Sequence, residues 1–176
     1  AVSSCMAIYK KRIICENHIT FHSERELISE DVIFNLDYLN CASSLGYSGT
    51  QYYYYRRSHG SLTTSNHQNR IPRYIMFHKF LVSWARRLDY FDEMKLRIYR
   101  MSLGYIRFSC RQIVKEAGQD ILQVSKYIGS QLNVSEVSEM LSSYPWRKLP
   151  LQYAIICFLM KNKMYMTLVF VLRIVS

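Results

Sequence analysis

The sequence predicts an α/β (α+β) chain: a short mixed part with few strands, followed by a longer, mostly α-helical part. Three observations predict it. The first fifteen residues mix β-branched and small side chains and run into Lys10-Lys11-Arg12-Ile13-Ile14. A tyrosine run, Tyr52 to Tyr55, has strong strand propensity. From about His67 the alternation stops and apolar residues recur at helical spacing to the end. The boundary therefore falls near residue 66, giving domains 1–66 and 67–176.

Taken in order, residues 1–15 read as a short strand and one helical turn. Residues 16–29 are polar, with Ile19 and Phe21 as apolar anchors, and read as a loop. Ser29 is a candidate N-cap for a helix carrying Val32, Leu36 and Leu39 on one face. Glu30 and Asp31 fall in its first turn, where the helix dipole favours negative charge. Leu45-Gly46-Tyr47-Ser48-Gly49 ends it, and Gln51 to Arg57 follows as a strand. Farther on, Ile75, Phe77, Phe80, Leu81, Trp84 and Leu88 define one helical face. Leu96, Tyr99, Leu103, Ile106, Ile113 and Val114 define another. Gly118 and Gly129 read as breaks. A short helix opens at Val134-Ser135-Glu136 and ends near Tyr144-Pro145-Trp146. The last stretch holds two apolar runs, 153–160 and 164–172, split by Lys161-Asn162-Lys163. Each is well short of the ~18–20 residues a spanning helix needs, so two helices packed on the body or lying in a membrane interface are expected.

The 176 residues hold 49% hydrophobic and 20% charged side chains, with 6 Gly and 3 Pro, which excludes a disordered, collagen-like or linker sequence. Five scattered cysteines with no CxxC argue against a disulfide scaffold and for a reducing, cytoplasmic setting. The net charge of +10 is concentrated: residues 51–115 alone carry +10, against −2 before them and +2 after. Such a field attracts phosphate-bearing partners or anionic headgroups, although a solvated helix face is the ordinary alternative.

Few residues are placed for chemistry. Glu30 and Asp31, adjacent at a loop-to-helix junction, can hold a general base near a substrate; an ordinary acidic first turn is the alternative. Arg56, Arg57 and His59 lie in a polar loop suited to phosphate or to a metal's surroundings, or simply to the surface. His18 and His22 have ligand-like spacing, but the segment reads as loop and no partner stands out. No nucleophile elbow and no Gly-rich phosphate loop occurs.

The order of these pieces carries a resemblance. Ala7-Ile8-Tyr9-Lys10-Lys11-Arg12-Ile13-Ile14, then His18-Ile19-Thr20-Phe21, then Ile28-Ser29-Glu30-Asp31-Val32-Ile33-Phe34-Asn35 lead to Tyr53-Tyr54-Tyr55-Arg56-Arg57 and Gly60-Ser61-Leu62-Thr63. Over residues 5–64 this resembles the C-terminal half of bacterial family-2 glycosyltransferases of the GT-A fold. The resemblance implies an inverting transferase of cell-surface polysaccharide synthesis. A nucleotide-sugar would be the donor and a saccharide or lipid-linked molecule the acceptor. It implies Asp31 as catalytic base and Glu30 as a residue shaping the acceptor site. It places His59 near the metal and diphosphate, with Arg56 and Arg57 toward the leaving diphosphate. It also implies a divalent metal, manganese or magnesium.

The family's nucleotide-binding half and its DxD ligands have no counterpart here; Asp89-Tyr90-Phe91-Asp92 has the wrong spacing. The chain does not open on Met. A piece lacking its N-terminal half, inactive alone, is therefore expected. The expected location is cytoplasmic, peripheral on the inner face of the plasma membrane. The competing reading is a non-catalytic basic helical protein bound to a membrane surface or to nucleic acid. Nucleic acid is not the expected partner, because the aromatics of residues 74–108 fall at core spacing.

Overall fold

A computed structural model of the chain describes residues 3–23, 28–50, 53–54, 70–117 and 120–175. It divides into two compact units, residues 1–65 and 66–176. Among the described residues the regular structure is entirely helical, so the α/β expectation is overturned. The reason is local. Ala7 and Lys10 do adopt extended backbone, as their neighbourhood's propensity predicts. But a strand exists only where a neighbour takes its backbone hydrogen bonds. None among the described residues runs alongside, and Ile8 is fully exposed. Tyr53 and Tyr54, the described part of the tyrosine run, also form no strand and lie exposed. The remainder of that expected strand lies outside the described residues.

The described residues of the N-terminal unit form a 3₁₀ turn (Ser4–Met6), α1 (Lys11–Glu16) and α2 (Glu30–Cys41). Ile19, Phe34 and Tyr38 are its buried centre, with Tyr9, Ile13, Ile14 and Ala42 packed against them. Phe21 stacks on Phe34 at 4.1 Å between ring centroids. Ser29 does precede α2, but in the left-handed region (φ 66°), and its side chain makes no capping hydrogen bond. Its carbonyl instead accepts from Val32 N–H at 2.9 Å.

The C-terminal unit holds α3 (Arg70–Arg87), α4 (Phe91–Glu116), α5 (Ile121–Leu132), α6 (Ser135–Ser143), α7 (Leu151–Lys161) and α8 (Tyr165–Val175). The long α3 and α4 pack along each other, and α8 lies against α5, α4 and α7. Ile71, Phe77, Leu103, Ile106, Ile128, Met140, Ile156 and Leu168 are all but sealed from solvent.

Three helix ends among the described residues are built without glycine; Gly118 lies outside those residues. After α3, Asp89 takes φ 58°; its N–H donates to Arg86 carbonyl (3.1 Å) and Tyr90 N–H donates to Ala85 carbonyl (2.8 Å). After α7, Lys163 (φ 56°) does the same toward Met160, and Met164 toward Leu159. His18 (φ 51°) and Ile19 repeat it after α1. These are left-handed C-caps that satisfy the last carbonyls of each helix.

Gly129, by contrast, is no break. It sits inside α5, buried, and a Cβ there would lie 2.8 Å from the Tyr165 ring of α8. Glycine costs helix stability, roughly 1 kcal/mol against Ala. Here it admits the close approach of α8. Gly129→Ala should therefore lower the thermal midpoint, because overpacking at about 1–3 kcal/mol outweighs the propensity gain. Adding Tyr165→Leu should remove that penalty. A raised midpoint in Gly129→Ala alone would show that the ring yields without cost.

Candidate functional site

The Asp31 neighbourhood is assembled by the extended segment before α1. The Tyr9 ring meets Phe34 and Tyr38 edge-on, at 5.2 and 4.9 Å. Its hydroxyl donates to Asn35 Oδ1 at 2.5 Å, and Lys10 N–H donates to the Tyr38 hydroxyl at 2.8 Å. These contacts pin the segment across the start of α2. Ser3 and Ser4 are thereby carried to the first turn, where Ser3 Oγ donates to Asp31 Oδ2 at 2.9 Å and Ser4 Oγ donates to Oδ1.

Asp31 is thus half-buried, at the start of a helix, with a hydroxyl on each carboxylate oxygen. Among the described residues no Lys, Arg or His forms a salt bridge with it. A carboxylate has about four acceptor positions, so two hydroxyl donors leave capacity for a further proton donor. The Tyr9 phenol is held above its usual range, first by burial and then by the negative charge of Asp31. That places the phenol in the electrostatic reach of the carboxylate. Glu30 is also half-buried in this turn. Successive helical residues diverge by about 100°, so it does not share the serine pair.

Arg56, Arg57 and His59 lie outside the described residues. His18 and His22 do not share a helix: His18 is the left-handed residue after the Asn17 cap of α1 and His22 lies in the following loop, both exposed. Among the described residues no group of His, Cys, Asp and Glu could hold a metal ion. The buried thiols are poor nucleophiles. Burial pushes Cys110 up to about 12 and raises Cys157 as well. Ser3, Ser4, Tyr9 and Asn35 are the site residues that sequence reasoning missed as a site. Tyr9 and Asn35 carried a signal, through their places in the Ala7–Ile14 and Ile28–Asn35 segments; Ser3 and Ser4 carried none.

Comparison of the chain with protein-family models, with curated proteins and with solved structures returned no match.

The basic excess of residues 51–115 is partly absorbed by structure. Arg86 lies over the Phe91 ring at 4.8 Å and Arg107 over the Tyr153 ring at 4.7 Å. Lys79 pairs with Glu136 at 2.6 Å. Tyr74 and Tyr105 stack on each other at 4.6 Å rather than standing open as base platforms.

One further polar cluster lies between α3, α4 and α6. His78 is buried, with Nδ1 2.9 Å from Ser102 Oγ and its ring against Tyr99. Tyr99 in turn donates to Glu139 Oε1 at 2.5 Å. Burial lowers the His78 pKa, against an upward pull from Glu139 and Glu136; Lys79 adds to the lowering. The folded value is then below the unfolded one of about 6.5. Above that pH both states are neutral here and stability is unaffected. Below it the unfolded chain binds a proton that the native chain resists, so stability falls as pH drops toward the depressed folded value. Urea midpoints at pH 7.5 and 5 should differ more for the parent chain than for His78→Asn. Equal differences would remove His78 as the cause.

Proposed function

We propose that residues 1–65 form the acceptor side of an inverting glycosyltransferase of the family-2 type, with Asp31 as general base. The observation that carries the proposal is the Asp31 carboxylate itself. It is half-exposed in the first turn of α2 and oriented by two serine hydroxyls, and no cation among the described residues is paired with it. The ordered motifs from Ala7 to Thr63 add the sequence support.

A base must reach the hydroxyl it deprotonates, and its charge must not already be cancelled. Among the described residues Asp31 meets both conditions. In the reaction, an acceptor hydroxyl gives its proton to Asp31 while its oxygen attacks the anomeric carbon. The bond from that carbon to the nucleotide diphosphate breaks, and the diphosphate leaves with the electron pair. Attack opposite the leaving group inverts the anomeric centre. Ser3 and Ser4 hold the carboxylate in one orientation, which cuts the cost of reaching the reactive geometry. The divalent ion that the family resemblance implies finds no ligand set among the described residues. Nucleotide-sugar, diphosphate and metal belong on this reading to a donor side other than the described elements.

The experiment is sugar transfer from a nucleotide-sugar by this segment joined to a donor-binding half, compared with its Asp31→Asn variant. Loss of transfer with binding retained supports the base assignment. An unchanged rate removes Asp31 from the mechanism.

A further inference from the structure

The α7–α8 pair carries more apolar surface than its packing uses. Ile156, Cys157, Leu159 and Met160 of α7 and Leu168, Val169 and Leu172 of α8 already face the core. On the outer side, Leu151, Ile155 and Phe158 form a stripe at i, i+4, i+7 along α7. Met166, Phe170 and Ile174 form another at i, i+4, i+8 along α8. All six are between 40% and 77% exposed, and Met164 in the connecting turn is exposed too. Side chains at such spacing share one helix face.

The charge along this segment of the sequence has one sign. From Met140 to Ser176 the sequence contains no Asp or Glu, and five Lys or Arg. Arg147 and Lys148 stand exposed just before α7, and Lys161 and Lys163 stand exposed at the turn after it. Lys161 and Lys163 also edge a shallow cleft shared with Ser138 and Ser142 of α6. Lys163 donates to Asn133 Oδ1 at 2.6 Å, a neutral partner that leaves its charge uncompensated. Elsewhere in the chain cations do meet acids, as Lys79 meets Glu136 and Arg12 meets Glu16.

We propose that α7 and α8 lie flat on an anionic lipid surface, with the two apolar stripes in the acyl boundary and the four exposed cations among the headgroups. Apolar stripes bordered by unmatched Lys and Arg are the composition of helices that lie in a membrane interface. A second copy of this +10 chain would bring like charge to the same face. Nucleic acid would match the lysines but leave Leu151, Phe158 and Phe170 in water. No helix among the described residues is long and apolar enough to cross a membrane, so the pair rests on the surface. The proposal rests on residues 140–176 and is independent of the transferase reading.

The test is co-sedimentation of the full chain with phosphatidylcholine vesicles, with or without phosphatidylglycerol, at low and high salt. Binding is expected only with the anionic lipid and should weaken with salt. Each lysine near such a surface contributes roughly a 5-fold factor, so Lys161→Ala with Lys163→Ala should weaken binding by roughly 30-fold. Phe158→Ser with Phe170→Ser should weaken it at least as much. All four side chains are exposed, and circular dichroism on each variant checks that the fold is kept. No binding to anionic vesicles at low salt overturns the proposal. So does binding that the phenylalanine variant leaves unchanged, since that would be adsorption of a cationic protein by charge alone.

Discussion

Asp31→Asn is expected to slow sugar transfer by roughly 10²–10⁴-fold, the range a positioned general base contributes. The fold of residues 1–65 should barely notice. Asn keeps the shape of Asp and one oxygen for a serine hydroxyl; the other hydroxyl can turn its lone pairs toward the new amide N–H. The residue sits in the first turn of α2, so the lost negative charge costs about 0.3–1 kcal/mol through the helix dipole. Rate and stability therefore separate, which is what distinguishes a base from a structural carboxylate. Glu30→Gln is the matched control. It removes a charge from the same turn without touching the serine pair, and its effect on rate should be far smaller. Ser3→Ala with Ser4→Ala should fall between the two, because the carboxylate stays but its orientation is no longer fixed. Equal losses from Glu30→Gln and Asp31→Asn would point to the general field of the turn rather than to Asp31.

Residues 70–175 were largely legible in the sequence because helix is a local structure. Each backbone hydrogen bond closes within four residues, so periodicity alone places α3, α4, α6, α7 and α8. Their ends were harder. The glycine rule expected a break at Gly129, yet Gly129 is inside α5 because its missing Cβ admits Tyr165 from α8. Three of the turns among the described residues use His18, Asp89 and Lys163 in left-handed backbone, which residue preference ranks below glycine. The N-terminal unit was legible in residue type and not in partnership. Ala7 and Lys10 have the extended backbone their neighbourhood favours, but a strand depends on a neighbour that no local pattern can supply. The site shows the same division. Glu30-Asp31 was visible as a pair at a helix start. Its setting was not, since Ser3 and Ser4 reach Asp31 across 28 and 27 residues, by way of Tyr9 on Asn35.

Phe77→Ala should cost the C-terminal unit about 3–5 kcal/mol. Phe77 is 1% exposed in α3, and its ring meets Tyr105 of α4 edge-on at 6.4 Å between centroids. Removing it takes away the transfer energy of the ring and leaves a cavity between two long helices that cannot easily close. Domains of this size have total stabilities of roughly 5–15 kcal/mol, so a large share would go. At about 4 °C per kcal/mol for a unit of this length, the thermal midpoint should drop by about 12–20 °C. Leu96→Ala is the contrast. Helical spacing assigns Leu96 to the same kind of face as Tyr99 and Leu103, but it stands 50% exposed near the start of α4. Its truncation should stay within about 0.5 kcal/mol, as surface changes do. Calorimetric melts of the two variants measure both at once. Comparable shifts would mean that the α3–α4 contact is looser at Phe77 than its burial implies. A large shift in Leu96→Ala alone would place the stabilising face of α4 one helical step away from Ile98, Tyr99, Ser102 and Ile106.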